Sequence, residues 1–277
     1  MRTSHPQPSG KTPAFTLIEL LVVTSVTGAL AGLALPGLSR AKHKAHQAMC
    51  LNNVRQLSLI GVMYLNEHGS PIPYDNPRYP GGAWMGSLSD SIKNTNILVC
   101  PTAPLHDPPP DSGNRQGSAD AAWVRWTSDA RQMFFGSYGY NAWLYSDIAS
   151  YSPDMSPDLV FTKADQIQSP ARTPLFVDAN WVDLSPRETD GPWRDLYSGA
   201  PFGISPPHNM GRCTIARHSV PNPSGAPRAL APGQRMPGGI MVGFVDGHSR
   251  LVKLEKLWSL YWHLDWETPA KRPAVGR

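Results

Sequence analysis

PAFTLIELLVVTSVTGALAGLALPGLSR, residues 13–40, is the stretch on which the fold turns. From Phe15 to Leu38 it runs 24 residues with Glu19 as the only charged side chain. As a helix this run extends about 36 Å, enough for a hydrocarbon core of about 30 Å. A carboxylate at membrane depth is costly and is tolerated when a partner neutralises it. Glu19 is therefore either an interfacial residue of a plain signal anchor or an acid with a dedicated partner.

Helical character continues past the apolar run as SRAKHKAHQAMCLNNVRQLSLIGVMYLNEHG. Leu51, Val54, Leu57, Ile60 and Tyr64 recur every three or four residues, which predicts one amphipathic stripe, with Arg40, Lys42, Lys44 and Arg55 on the wet side. The two halves together predict a rod of about 54 residues and about 80 Å. A short leader, MRTSHPQPSGKTPA, precedes it with Arg2 and Lys11. The apolar stretch is too long for an ordinary signal-peptide core, and no small-x-small site followed by a polar start closes it. Cations flank the span on both sides, so charge alone does not orient it.

Composition separates this rod from the rest. Of 29 prolines, 25 lie at or beyond Pro71 and none lies between Gly37 and Ser70. The first 70 residues can thus be one helix, whereas 71–277 must be turn-rich with short elements. A net charge of +4 in 277 residues, scattered along the chain, gives no case for nucleic acid. Apolar residues at 40% exclude general disorder.

AFTLIELLVV resembles the processing site of type IV prepilins and type II secretion pseudopilins, in which a short basic leader precedes Phe-Thr-Leu-Ile-Glu. The resemblance implies that a membrane prepilin peptidase cuts between Ala14 and Phe15 and methylates the new amino group of Phe15. Residues 1–14 would be leader, 15–38 the transmembrane and assembly helix, 39–70 its amphipathic continuation, and 71–277 a periplasmic head. Glu19 becomes the fifth mature residue, expected to pair with the N-terminal ammonium of a neighbouring subunit. Pro36 falls at mature position twenty-two, where many pilins carry a helix-bending proline. The family has glycine before the cut, and this chain has Ala14 there, also small.

Further landmarks extend the likeness. The stretches MCLNNVRQLSLIGVMYLNEHG, ILVCPTAP, SYGYNAWL and RTPLFVDA are similar to a bacterial subgroup of G-type pseudopilin-like proteins with a C-terminal His, nine residues, then Asp-Gly. The matching pieces here are Arg217-His218 and FVDGHSRLVKL from Phe244, with 27 residues between His218 and Asp246. The surplus, SVPNPSGAPRALAPGQRMPGG, is expected to be a Pro/Gly-rich loop that contributes little packing. The subgroup tends to have both Cys50 and Cys100, which suggests them as a disulfide in an oxidising compartment, although three small buried hydrophobes would serve equally. Three cysteines are too few and too widely spaced for a zinc knuckle.

The expected fold class is α+β and pilin-like: the long N-terminal helix packed on an antiparallel β-sheet head with long Pro/Gly-rich loops. Runs 173–181, 212–218 and 239–247 are β-rich; HSRLVKL can pair back after the Asp-Gly turn. Residues 137–143 are expected to form an edge strand, and 255–266 a terminal helix with Leu257, Leu260, Tyr261 and Leu264 at helical spacing. Asp178, Asp183, His218, Asp246 and His248 fall at strand ends or turns. Four of them, Asp178, His218, Asp246 and His248, could hold Ca2+ as G-type pseudopilins do; ordinary turn chemistry would explain Asp246 as well. Trp84, Trp123, Trp126, Trp143, Trp181 and Trp193 are expected in the core, with a carbohydrate-binding face as the other use. No nucleophile elbow, zincin motif, P-loop or dinucleotide fingerprint occurs, so nothing points to an enzyme. The resemblance implies a structural subunit whose partners are the peptidase, other pseudopilins and an inner-membrane assembly platform. The alternative is a membrane-anchored periplasmic binding protein or enzyme with a borrowed prepilin-type anchor.

Overall fold

In the computed structural model the chain is described over residues 16–106, 113–152, 155–201 and 209–275. Helix α1, Leu17–His68, is 52 residues long, about 78 Å. It continues through Pro36. Contacts divide the chain into two units, 1–45 and 46–277. In the first, the apolar side chains from Leu17 to Leu38 that are described are exposed, and α1 is long and apolar enough to cross a membrane.

The second unit is α+β. Short helices α2 (Ala83–Ser87) and α3 (Ile148–Tyr151) and several 3-10 turns accompany two sheets. Strands β1 (Trp123–Trp126) and β2 (Met133–Gly136) form an antiparallel pair. The main sheet holds β3 (Tyr138–Asn141), β4 (Pro174–Asp178), β5 (Asp183–Leu184), β6 (Gly239–Phe244) and β7 (Ser249–Lys253) in the order β5-β3-β4-β6-β7. All its pairs are antiparallel except β3 with β5. The sheet is therefore mixed, and β3 is an inner strand where an edge was expected. The two-residue β5 covers its free side, which suits a strand whose four residues are all buried.

The second half of α1 packs on this sheet along Cys50, Val54, Leu57, Ser58, Gly61 and Leu65. Val54 and Leu57 are the expected anchors; Leu51, Ile60 and Tyr64 lie at the flank, half-buried. Two glycines set the approach. A Cβ on Gly61 would stand 3.0 Å from Leu175 Cδ2, and one on Gly243 would run into Ser58, within 3.0 Å of its Cβ. Helix and strands β4 and β6 can meet this closely only because those side chains are missing. Leu57 is fully buried, so Leu57→Ala should lower stability by about 2–5 kcal/mol in denaturant unfolding, against well under about 1 kcal/mol for exposed Lys44→Ala.

The β6–β7 hairpin forms at the Asp-Gly turn as the sequence predicts. Gly247 N–H donates to the Phe244 carbonyl and Phe244 N–H to the His248 carbonyl, closing a three-residue loop. Gly247 has φ +85°, the left-handed conformation that such a loop requires at its last residue.

Three sequence expectations are corrected. Residues 212–218 form no strand: Ala216 N–H goes to the Leu196 carbonyl, and only His218 bridges to a strand, at Gly239. Residues 255–266 are not a helix beyond the 3-10 turn Leu254–Ser259. There the N–H groups of Tyr261 and Leu264 are taken by the Arg172 and Leu159 carbonyls, distant segments that outcompete the i−4 ladder. Nor is the inserted loop a loose excursion. Val220, Ala226, Leu230 and Met236 are buried in the core, Leu230 N–H donates to the Arg194 carbonyl, and Arg228 stacks over Tyr197 at 3.7 Å. Shortening it to nine residues would remove core, not slack.

Candidate functional site

Helix α1 opens with a capping box: Glu19 N–H donates to Thr16 Oγ1 at 3.2 Å, while Glu19 Oε2 accepts from Thr16 N–H at 2.8 Å and from its hydroxyl at 2.7 Å. This is the Thr-x-x-Glu signature, in which helix start and acid satisfy each other. Ala14 and Phe15, the processing pair, lie outside the described residues. Pro36 lies inside α1.

Cys50 on α1 and Cys100, just after the 3-10 turn Thr95–Leu98, are joined by a disulfide across 50 positions of sequence. The third cysteine, Cys213, is free and buried; burial pushes its thiol far up, so it behaves as a small hydrophobe.

The four proposed metal ligands separate into two pairs. Asp246 and His248 sit in the β6–β7 turn, 2.6 Å apart and partly exposed, with Asp246 Oδ1 also accepting His248 N–H. His248 stacks on Phe244 at 4.3 Å. This is turn chemistry. Asp178 and His218 are instead fully buried at the opposite end of β6, beside Met241 and Gly239. Among the described residues no group of three possible ligands contains Asp246 or His248. The four-residue Ca2+ set therefore does not assemble. Asp183 pairs with Arg212 at 3.1 Å.

Around Asp178 lies a polar part of the core built on Arg217, which the sequence singled out only as the neighbour of His218 and not as a buried residue. Both side chains are wholly buried. Arg217 places all five N–H donors: Nε to the Ala119 carbonyl, Nη1 to the Ser137 carbonyl and to Asp178 Oδ1 at 2.9 Å, Nη2 to the Ser118 and Ala179 carbonyls. Asp178 Oδ2 accepts Met241 N–H at 2.6 Å and lies 3.1 Å from His218 Nε2. The same Nε2 is 3.6 Å from Cys100 Sγ. His218 Nδ1 has no hydrogen-bond partner among the described residues.

Burial pushes the Asp178 carboxyl up, but the His218 and Arg217 charges and the donated hydrogen bonds outweigh it and hold it below its ordinary value. A carboxyl lowered in the folded state adds stability that is complete above its unfolded value, about 3.9, and is lost as pH falls through that value toward the folded one. The wild-type melting temperature should thus fall below about pH 4. Asp178→Asn should melt lower at neutral pH but with a shallower acid limb; parallel limbs would show that Asp178 carries no such linkage.

Trp84, Trp123, Trp143 and Trp181 are buried, whereas Trp126 and Trp193 are half-buried, so the indoles form no common outward face. No protein-family model, curated protein or solved structure matches the chain.

Proposed function

We propose that this chain is a pseudopilin-like structural subunit: a prepilin peptidase removes residues 1–14, and the mature protein joins other pseudopilins in a filament built on an inner-membrane platform, with its head in the periplasm. The carrying observation is the capped start of α1 at Thr16 and Glu19, followed by an uncharged apolar helix that continues unbroken into a half packed in an α+β unit. A core so fully committed to its own polar groups at Asp178 and Arg217 favours a structural over a catalytic role for the head. The Thr16 contacts engage Glu19 Oε2, which leaves Oε1 to meet the ammonium of an adjacent subunit.

The test is the mature N-terminus together with Glu19→Val. Mass spectrometry of membrane fractions should find methylated Phe15 as the first residue; an intact Met1 with the peptidase present would overturn processing. Glu19→Val should leave head stability within about 0.5 kcal/mol of wild type, because the substitution lies far in sequence from the packed half of α1. Its cross-linked incorporation into filaments should be lost. Normal incorporation of that variant would refute the pairing and favour an anchor that merely holds the head at the membrane.

A further inference from the structure

Cys50, Cys100 and His218 come from three distant parts of the chain, yet their Sγ, Sγ and Nε2 atoms lie within 4.8 Å of one another and all three residues are buried. Cys100 Sγ stands 3.6 Å from His218 Nε2. In a tetrahedral centre with Zn–S near 2.3 Å and Zn–N near 2.0–2.1 Å, bound sulfur and nitrogen are about 3.5–3.6 Å apart. The imidazole is thus already placed at the separation from Cys100 that a shared Zn2+ would impose.

We propose that the disulfide is one of two states of this site, and that on reduction Cys50, Cys100 and His218 bind a single Zn2+. A dithiol supplies two electrons and two protons: the Cys50–Cys100 bond breaks, both sulfurs become thiols, and the dithiol closes to its own disulfide. Zn2+ then displaces both thiol protons to solvent and takes the lone pair of His218 Nε2. The proton on Nε2 leaves to solvent as well, and the remaining ring proton sits on Nδ1, which has no hydrogen-bond partner among the described residues. Asp178 Oδ2, held by Met241 N–H with its other oxygen on Arg217, lies 3.1 Å from the same Nε2 and orients the imidazole. Two thiolates and an imidazole select a borderline-soft cation over Ca2+ or Mg2+, which need oxygen donors. The states exclude each other, because a sulfur in the S–S bond is no thiolate. Bound Zn2+ therefore protects the pair from oxidation, and oxidation expels the metal. This chemistry belongs to the head and holds whether or not the chain assembles into filaments.

The experiment uses the full chain in detergent, reduced with excess dithiol, desalted without oxygen and titrated with Zn2+ against a chromophoric chelator. One equivalent should bind with a dissociation constant below about 100 nM, and the oxidised protein should bind none at that affinity. Co2+ should give a thiolate-to-metal charge-transfer band, and His218→Ala should weaken Zn2+ at least about tenfold. If that variant does not fold, X-ray absorption of the zinc-loaded wild type decides, with two sulfurs and at least one nitrogen expected. If reduction itself opens the head, Zn2+ should restore its circular dichroism. Absence of a stoichiometric site in the reduced chain, a metal shell without both sulfurs and a nitrogen, or failure of Zn2+ to restore a reduced head overturns the proposal.

Discussion

Arg217→Ala should destabilise the head by about 3–5 kcal/mol, a large share of the about 5–15 kcal/mol that holds most domains together. The substitution strands the Asp178 carboxylate in a site with no exposure, takes the Arg217 donor from the carbonyls of Ser118, Ala119 and Ala179, and leaves that of Ser137 with Ala179 N–H alone. Lysine cannot replace it. Its three donors leave part of this set unmet, and an ammonium cannot reproduce the planar fork. Removing both charges tests whether the loss comes from the stranded partner: Arg217→Met with Asp178→Leu should cost clearly less than the two single changes added together. Denaturant midpoints at constant slope measure all three. Additive losses would mean that the two residues act separately, contrary to their 2.9 Å contact.

Loss of the disulfide is the second large effect. Cys50→Ser with Cys100→Ser releases a loop of 50 residues, for which chain entropy gives about 4 kcal/mol. The bond ties α1 directly to Cys100 in the core of the head, beside Cys50, Val54 and Leu57 of the packed helix half. Unfolding of the oxidised wild type and the double variant should differ by that amount in metal-free buffer. A difference under about 1 kcal/mol would show that burial of the two side chains, not the cross-link, is what matters.

Much of this architecture was legible in the sequence because hydrophobic period and turn chemistry are local signals. The apolar run fixed the existence of α1, Gly247 the hairpin, and the short apolar run after Thr173 gave β4. The capping box was also legible, as Thr16 three residues before Glu19, but the unusual acid drew attention to membrane partners instead. Other features were written in contacts between distant segments. The spacing of Leu257, Leu260, Tyr261 and Leu264 mimics a helix, yet the Trp258, Trp262 and Trp266 indoles spend their N–H groups on the Asp190, Leu257 and Trp258 carbonyls, and the backbone there serves other loops. Residues 219–238 looked like slack because Pro and Gly dominate, while four scattered apolar side chains anchor them. Arg217 gave no local sign of burial: a cation next to a histidine reads as surface until five acceptors converge on it.

That convergence also orders events in time. The acceptors of the Arg217 guanidinium lie 38 to 99 positions earlier in the chain, in segments synthesised well before residue 217. Until the last quarter of the sequence arrives, Asp178 has no guanidinium to answer it, and β4 lacks β6 on its far side. The head consequently cannot settle piece by piece from its N-terminal end. Closing the head thus depends on contacts of long sequence separation, and its folding should be slow by the standard of proteins whose contacts are local.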